Sequence, residues 1–337
     1  MFWKGKYGPL LIAEIGGNHE GNIEYAHKLL DLAINSKVDV IKFQIYNPEN
    51  LVNKDIDAER FCHFKRFTLK PHEHIELAKK CLKSNKIYLA SVWDIESILW
   101  IDYFTRYYKI GSGDLTAYQI IERLTKTKKP LILSTGLSNY NQISNTIKFI
   151  QSKDPIYKKS EMIALLQCTS NYPNPEDETN LEIIKEFKDR FPFSVGYSDH
   201  TKDLNALILA AALGAEILEF HFTDSRDNKT FRDHAVSLTS DEIDILIEKI
   251  QRNQILIGNH KKELTKSELR SEHHLSFRRS LYAKKDIHPG EKFSNDNIIS
   301  LRPKIGVCAS NILKVIGRKS SRMIHKLDPI QDYDLNN

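Results

Sequence analysis

The sequence predicts an α/β protein: a closed (β/α)8 TIM barrel followed by a small β-rich module. Three observations carry this reading. Eight apolar runs have strand length, helical segments separate them, and the periodicity changes after Ile257. The runs are Leu10–Glu14, Val40–Ile45, Ile87–Trp93, Tyr108–Gly111, Leu131–Thr135, Ile163–Cys168, Ser194–Tyr197 and Glu216–Phe220. Most are nearly unbroken by polar residues, as in parallel strands covered on both faces. Between them, Ile23–Ser36, His74–Ser84, Ala117–Leu124, Leu181–Phe187 and Leu204–Leu213 carry helical spacing. This alternation gives a parallel sheet, and eight units favour a closed barrel over an open doubly wound sheet.

The barrel is assigned residues 1–260, a linker 261–278, and a compact β-rich domain 279–337. From Gly258 to His274 the chain is polar, which reads as a linker or an exposed helix. Beyond Arg278, turn signals fall at His288-Pro-Gly-Glu291 and Leu327-Asp-Pro329. Ile287–Phe293 is echoed by Ile324–Ile330, 37 residues later, so the module is expected to have internal pseudo-symmetry. A module this small buries little core alone and gains from docking on another surface.

Composition bounds the function. The 337 residues are 41 % apolar and 28 % charged, ordinary for a globular protein that is neither disordered nor fibrous. Forty-nine basic and 44 acidic residues leave a net charge of +5, dispersed along the chain. Neither nucleic acid nor membrane is an expected partner, whereas a small anionic substrate is compatible. Cys62, Cys81, Cys168 and Cys308 show no paired spacing and read as free thiols of a reducing compartment. The first residues lack the apolar core of a signal peptide, and no run approaches membrane-spanning length. A cytoplasmic address is the expectation.

Barrels of this kind collect chemistry at the C-terminal ends of their strands. Those ends supply Glu14 and Glu20, Lys42 and Gln44, Ser91 and Asp94, Lys109 and Ser112, Ser134, Gln167, Asp199 with His200, and His221. Lysines and hydroxyls suit a phosphate or carboxylate. His200 and His221, 21 residues apart on successive strands, suit a divalent metal. Lys42 inside Ile-Lys-Phe-Gln would cost several kcal/mol unless paired or facing a wet pocket. Glu20 reads either as a cap of the following helix or as a general acid/base. Gly111-Ser-Gly113 reads as a turn, and His234 as a third ligand or an exposed loop residue. His273 and His274 read as part of a solvated linker.

Taken in order, several motifs resemble the N-acetylneuraminate (sialic acid) synthase family over nearly the whole chain. They are Ile12-Ala-Glu-Ile-Gly-Gly-Asn-His-Glu-Gly21, Val40-Ile-Lys-Phe-Gln44, Lys109-Ile-Gly-Ser-Gly-Asp114, Ile132-Leu-Ser-Thr-Gly136, Cys168-Thr-Ser-Asn-Tyr-Pro173, Gly196-Tyr-Ser-Asp-His-Thr201 and His221-Phe-Thr223. The tail, with Arg279–Glu291 and Leu301-Arg-Pro303, resembles that family's antifreeze-like (SAF, β-clip) domain. The resemblance implies an enzyme that condenses phosphoenolpyruvate with an open-chain N-acylated amino sugar, giving a nonulosonic acid and phosphate. It makes His200 and His221 the metal ligands, with Mn²⁺ as the metal and Mg²⁺ or Co²⁺ as alternatives. Glu20 becomes the general acid/base, with His200 and His221 also in the catalytic set. Lys42, Lys109, Ser112 and Ser134 hold phosphoenolpyruvate, and Gln44, Ser91 and Ser170 join the substrate-binding set. Tyr172 and Asp233 contact the sugar. Arg302 reaches its N-acyl group from the partner subunit of a domain-swapped homodimer.

Three departures from the family pattern fall where the acceptor is expected. Ala90-Ser-Val-Trp93-Asp94 replaces the common Ser-Thr-Pro-Phe, Gln167 replaces a histidine before Cys-Thr, and Arg226–His234 lacks the usual Pro-Gly-Pro. Two other readings stand beside the synthase. One is a different metal-dependent phosphoenolpyruvate–aldose synthase of 3-deoxy sugar acids, which the tail module argues against. The other is a non-catalytic sugar-binding relative, against which the charges gathered at one mouth count.

Overall fold

A computed structural model describes residues 3–258 and 261–336; residues 1, 2, 259, 260 and 337, at the edges of the predicted barrel, linker and tail, lie outside the described residues. The chain divides into two compact units, 1–258 and 259–337.

In the first unit eight parallel strands close on themselves: β1 Gly8–Glu14, β2 Val40–Ile45, β3 Ile87–Val92, β4 Tyr108–Ile110, β5 Leu131–Ser134, β6 Ile163–Cys168, β7 Ser194–Asp199 and β8 Ile217–Phe222. Pairing of β1 with β8, Leu10 opposite Ile217 through Glu14 opposite His221, makes the closure. The closed barrel is therefore the observed fold, and the open sheet is not. Side chains alternate along each strand, so Leu10, Ile12 and Glu14 share the inner face of β1 while Leu11 and Ala13 face the helices. The inner face is apolar over its first two layers, with Ile12, Val40, Leu89, Ile132, Ala164 and Ile217 forming one cluster. Trp3 packs edge-on against Tyr107, at 5.2 Å between ring centroids, in the same cluster. Polar residues take over only at the C-terminal ends, so the apolar layers act as a floor beneath them.

The surrounding helices follow from spacing and caps. In Ile23–Asn35, Ala26, Leu29, Leu30 and Ala33 recur at three and four and are all buried against the barrel. Asn22 caps this helix, its side chain accepting from Tyr25 N at 2.8 Å, so the cap predicted for Glu20 belongs two residues later. Two helices were not legible in the strand–helix count: Pro48–Leu51 and Ala58–Phe67 lie between β2 and helix Pro71–Lys83. Among the described residues no helix is long and apolar enough to cross a membrane. All four cysteines are free thiols.

The second unit holds two antiparallel pairs, Ser280–Ala283 with Ile298–Leu301 and Lys319–Ser320 with Leu335–Asn336. Its core includes Leu281, Ile287, Phe293, Ile298, Ile324 and Ile330. The two copies of the repeated motif pair with each other, Ile287 N with Ile324 O at 2.9 Å and Ile324 N with Ile287 O at 3.0 Å. Each copy is held by the same local turn: His288 N donates to Glu291 and His325 N to Asp328. The predicted pseudo-symmetry is thus physical, because equivalent residues meet across it. Residues 261–278 contain the short helices Lys266–Arg270 and His273–Ser276, with His273 exposed.

Candidate active site

A cavity of about 830 Å³ opens at the C-terminal ends of the barrel strands. Strand register decides what reaches it. Glu14 is opposite both Lys42 and His221, Gln44 opposite Ser91, Ser91 opposite Lys109, and Ser198 opposite Glu219. The result is a buried quartet of two ammonium and two carboxyl groups. Lys42 Nζ lies 2.9 Å from Glu14 Oε2 and 3.1 Å from Glu219 Oε1, and Lys109 Nζ lies 3.4 Å from the same Glu219 oxygen. Ser198 Oγ also donates to Glu219, at 3.2 Å. Lys42 meets the condition set by its sequence context, since it is paired and faces the cavity.

The two carboxyls are driven apart. Burial pushes Glu14 up to about 7, against the opposing pull of Lys42. Burial works the same way on Glu219, but Lys109 and Lys42 together hold it down at about 2. Burial lowers Lys109, while the two carboxylates outweigh burial at Lys42 and lift it to about 12. A carboxyl near neutrality beside a fixed carboxylate is the arrangement that divides proton transfer from charge stabilisation.

The hydroxyls converge beside the lysines. Gly111-Ser-Gly113 is indeed a turn, and it aims Ser112 so that Gly136 N donates to its Oγ at 3.1 Å. A Cβ at Gly136 would collide with the hydroxyls of Ser112 and Ser170, so the turn after β5 must lack a side chain there. Ser91, Ser134 and Gln44 also line the cavity.

His200 and His221 emerge from neighbouring strands with ring centroids 5.4 Å apart. His200 Nδ1 is 2.8 Å from Thr169 O. A carbonyl only accepts, so Nδ1 carries a proton and Nε2 is the ring nitrogen left to bind a ligand once it is unprotonated. His221 Nδ1 is buried without a hydrogen-bond partner, 3.7 Å from Asp233 Oδ2, and burial with the neighbouring His200 holds this imidazole neutral. Among the described residues no group of three or more His, Cys, Asp or Glu is arranged to hold a metal. The donor chemistry of the pair nevertheless fits a divalent ion that takes its other positions from water or substrate. Tyr172 lies over His200 at 4.0 Å and edge-on to His221 at 5.6 Å.

The structure thus brings together Lys42, Gln44, Ser91, Lys109, Ser112, Ser134, Ser170, Tyr172, His200, His221 and Asp233. It does not bring Glu20. That residue, in a left-handed turn at φ 52°, points to Arg66 at 3.8 Å and His234 at 3.4 Å and is not among the cavity-lining residues. His234 is neither an exposed loop residue nor a neighbour of the histidine pair. It is buried and bound to Thr223 Oγ1 at 2.7 Å. Gln167 also turns away, donating to Thr179 O at 3.1 Å, and it does not line the cavity. Asp94 caps the next helix through Ser97 N, and Asp199 is bound to Tyr197 and Thr201. Arg302 belongs to the second unit, where it is exposed and sits over the Phe277 ring at 5.6 Å. Sequence reasoning placed Trp93 near the acceptor but missed Glu219 and the rest of the aromatic wall, Tyr46, Phe64, Phe67 and Phe231. A charge inside the apolar run of β8 was the available signal for Glu219.

Comparisons with known proteins identify the family. Residues 29–262 match the NeuB family and residues 278–336 the SAF domain. The chain is 33 % identical to the N,N'-diacetyllegionaminic acid synthase of Campylobacter jejuni, over 93 % of this chain and 96 % of that protein. It is 25 % identical to the N-acetylneuraminate-9-phosphate synthase of Homo sapiens, over 97 % of this chain and 93 % of that one. The crystal structure of the N-acetylneuraminic acid synthetase from Leptospira borgpetersenii superposes with a TM-score of 0.70 at 28 % identity, covering 80 % of this chain and 92 % of that chain. The chain belongs to the NeuB family, the sialic acid synthase family that its motifs resemble, and its second unit carries an SAF domain.

Proposed function

We propose that this protein joins C3 of phosphoenolpyruvate to the aldehyde carbon of an open-chain N-acylated amino sugar, forming a nonulosonic acid and releasing phosphate. The observation that carries the reading is the buried Lys42–Lys109–Glu14–Glu219 quartet beside two imidazoles at one barrel mouth. Lys42, Lys109 and the hydroxyls of Ser112 and Ser134 hold the carboxylate and phosphate through charge-assisted hydrogen bonds. As the enol carbon attacks, positive charge develops at C2, and the fixed Glu219 carboxylate stabilises it. Glu14, rather than Glu20, takes the proton from the water that adds at C2, and phosphate then departs. Tyr172 and Asp233 position the sugar. His200 and His221 would hold a divalent ion, Mn²⁺ with Mg²⁺ or Co²⁺ as alternatives, which when bound would supply Lewis-acid polarisation of the aldehyde. Arg302, exposed and without an ion pair among the described residues, is free to serve the sugar's N-acyl group as Arg302 of the partner subunit in a domain-swapped homodimer. The free thiols suit a cytoplasmic enzyme.

The test is phosphate release from phosphoenolpyruvate with a panel of N-acylated amino sugars, before and after chelation and with Mn²⁺ restored. Release should require both a sugar and the metal, and His200→Ala or His221→Ala should abolish it with the fold intact. Release without any sugar, or at wild-type rates in either variant, contradicts the reading.

A further inference from the structure

The loops that follow β1 and β8 are tied to each other beside the cavity. The loop after β8 brings Phe231, Arg232 and Asp233 to the cavity lining. The next residue, His234, is buried away from it. Its Nδ1 lies 2.7 Å from Oγ1 of Thr223, the residue that follows β8. Its Nε2, buried without a hydrogen-bond partner, faces Glu20 Oε1 at 3.4 Å. Burial, with Lys229 nearby, lowers this imidazole from its ordinary 6.5, so the ring is neutral and carries one proton. A carboxylate only accepts, so that proton sits on Nε2 and Nδ1 accepts from the Thr223 hydroxyl. Phe231 meets the same ring edge-on at 6.3 Å, and Tyr25 stacks on it at 6.4 Å. A second tie runs beside the first. Asn18 donates to Phe222 O at 2.9 Å and to Ser237 Oγ at 2.8 Å, and Ser237 Oγ donates to Asp233 O at 2.7 Å. Asn18 and Glu20, both in the loop after β1, therefore hold the chain on either side of the Asp233 carboxylate.

We propose that His234 and Glu20 are positioning residues: Glu20, acting through the His234 ring, fixes the loop that presents Asp233 to the sugar. This rests on the synthase reading above and deepens it, and it gives a role to a motif carboxylate that does not line the cavity. Asp233 Oδ2 lies 3.7 Å from His221 Nδ1, so a shift of this loop moves the sugar relative to the two imidazoles. A displacement of about 1 Å at such a contact costs about 100-fold in rate. Arg66 is a poor substitute anchor for Glu20. It is largely exposed and 3.8 Å away, and a pair of that kind holds little. His234 is the buried partner, and Thr223 fastens it to the strand that carries His221.

The experiment measures phosphate release from phosphoenolpyruvate with an N-acylated amino sugar that the wild type uses, together with deuterium exchange of the amides of residues 224–236. Glu20→Ala and His234→Ala should each lower kcat/KM for the sugar by about 10- to 100-fold. The KM for phosphoenolpyruvate should move by less than about 3-fold, because Lys42, Lys109 and the hydroxyls stand on other strands. Glu20→Gln keeps an accepting oxygen and His234→Gln keeps a donor and an acceptor, so both should recover most of the loss. The double alanine variant should be no worse than the poorer single one, since the two act through one contact. Exchange over 224–236 should quicken in both alanine variants. The inference is overturned if Glu20→Gln lowers kcat by about 100-fold or more, as a direct acid/base would. It is also overturned if the two alanine losses multiply, if the KM for phosphoenolpyruvate rises with that for the sugar, or if exchange is unchanged. The exchange result stands whether or not the enzyme turns over, whereas no release by the wild type with any sugar overturns the synthase reading itself.

Discussion

Replacing Lys42 with methionine removes the centre of the buried quartet while keeping most of the volume of its stem. Lys42 lies 2.9 Å from one carboxyl and 3.1 Å from the other, and none of the three side chains is more than 6 % exposed. At an effective dielectric of about 20, each contact has a gross attraction of about 5 kcal/mol. Desolvation of the ions offsets much of this, so deleting one partner should destabilise the barrel by about 3–5 kcal/mol. Glu219→Gln should cost less, about 1–3 kcal/mol, because the amide oxygen still accepts hydrogen bonds. The double variant leaves one carboxyl and one ammonium, Glu14 and Lys109, which are balanced in charge. A double-mutant cycle should therefore return a coupling of about 1–3 kcal/mol. The assay is urea unfolding followed by tryptophan fluorescence, which reports on the barrel unit because Trp3, Trp93 and Trp100 all lie there. If the two losses simply add, to within about 0.5 kcal/mol, the pairing has no energetic meaning and the reasoning fails.

Two further outcomes test the scaffold. Burial depresses His19 to about 4 and His74 to about 3, against an ordinary value of 6.5. Above pH 6.5 both states are unprotonated; below it the unfolded chain takes up protons that the folded chain refuses, so stability falls as pH falls. Each histidine contributes about 1.4 kcal/mol per pH unit to that fall. His74→Leu should make the loss between pH 6 and 4 shallower by that amount, and an unchanged slope in urea midpoints would show that His74 is not held neutral. Asp94 accepts from Ser97 N at 2.8 Å and from Asn47 N at 2.9 Å, joining the helix after β3 to the loop after β2. Asp94→Ala should cost about 1–3 kcal/mol for the lost cap and the stranded amide, measured by the same unfolding curves.

The barrel was legible because each strand is an apolar run, and β1 to β8 fall on the eight runs to within two residues at most ends. Lys42 was legible for the same reason in reverse, as a charge that an apolar strand could not carry unpaired. Glu219 gave the same signal but was taken as part of the run Glu216–Phe220, which His221 follows. Glu20 was misplaced because sequence shows a loop but not its turn. One left-handed residue swings the carboxylate toward Arg66 and His234, which only the fold brings near. The aromatic wall was invisible for a similar reason. Phe64 and Phe67 have helical spacing, but their ring neighbours Tyr46, Trp93 and Phe231 come from three other segments. Gln167 looked like a cavity residue until its partner, the Thr179 carbonyl, was in view.

The proposed reaction forms one carbon–carbon bond at the mouth that Lys42, Lys109, Glu14 and Glu219 define. Phosphoenolpyruvate labelled with ¹³C at C3, incubated with the enzyme, Mn²⁺ and a diacetamido-trideoxyhexose, tests it directly by NMR. The label should appear as a ring methylene bonded to the carbon that was the sugar aldehyde, seen as a long-range correlation from that carbon's proton. A label recovered as the methyl group of pyruvate, with the sugar unchanged, would contradict the account.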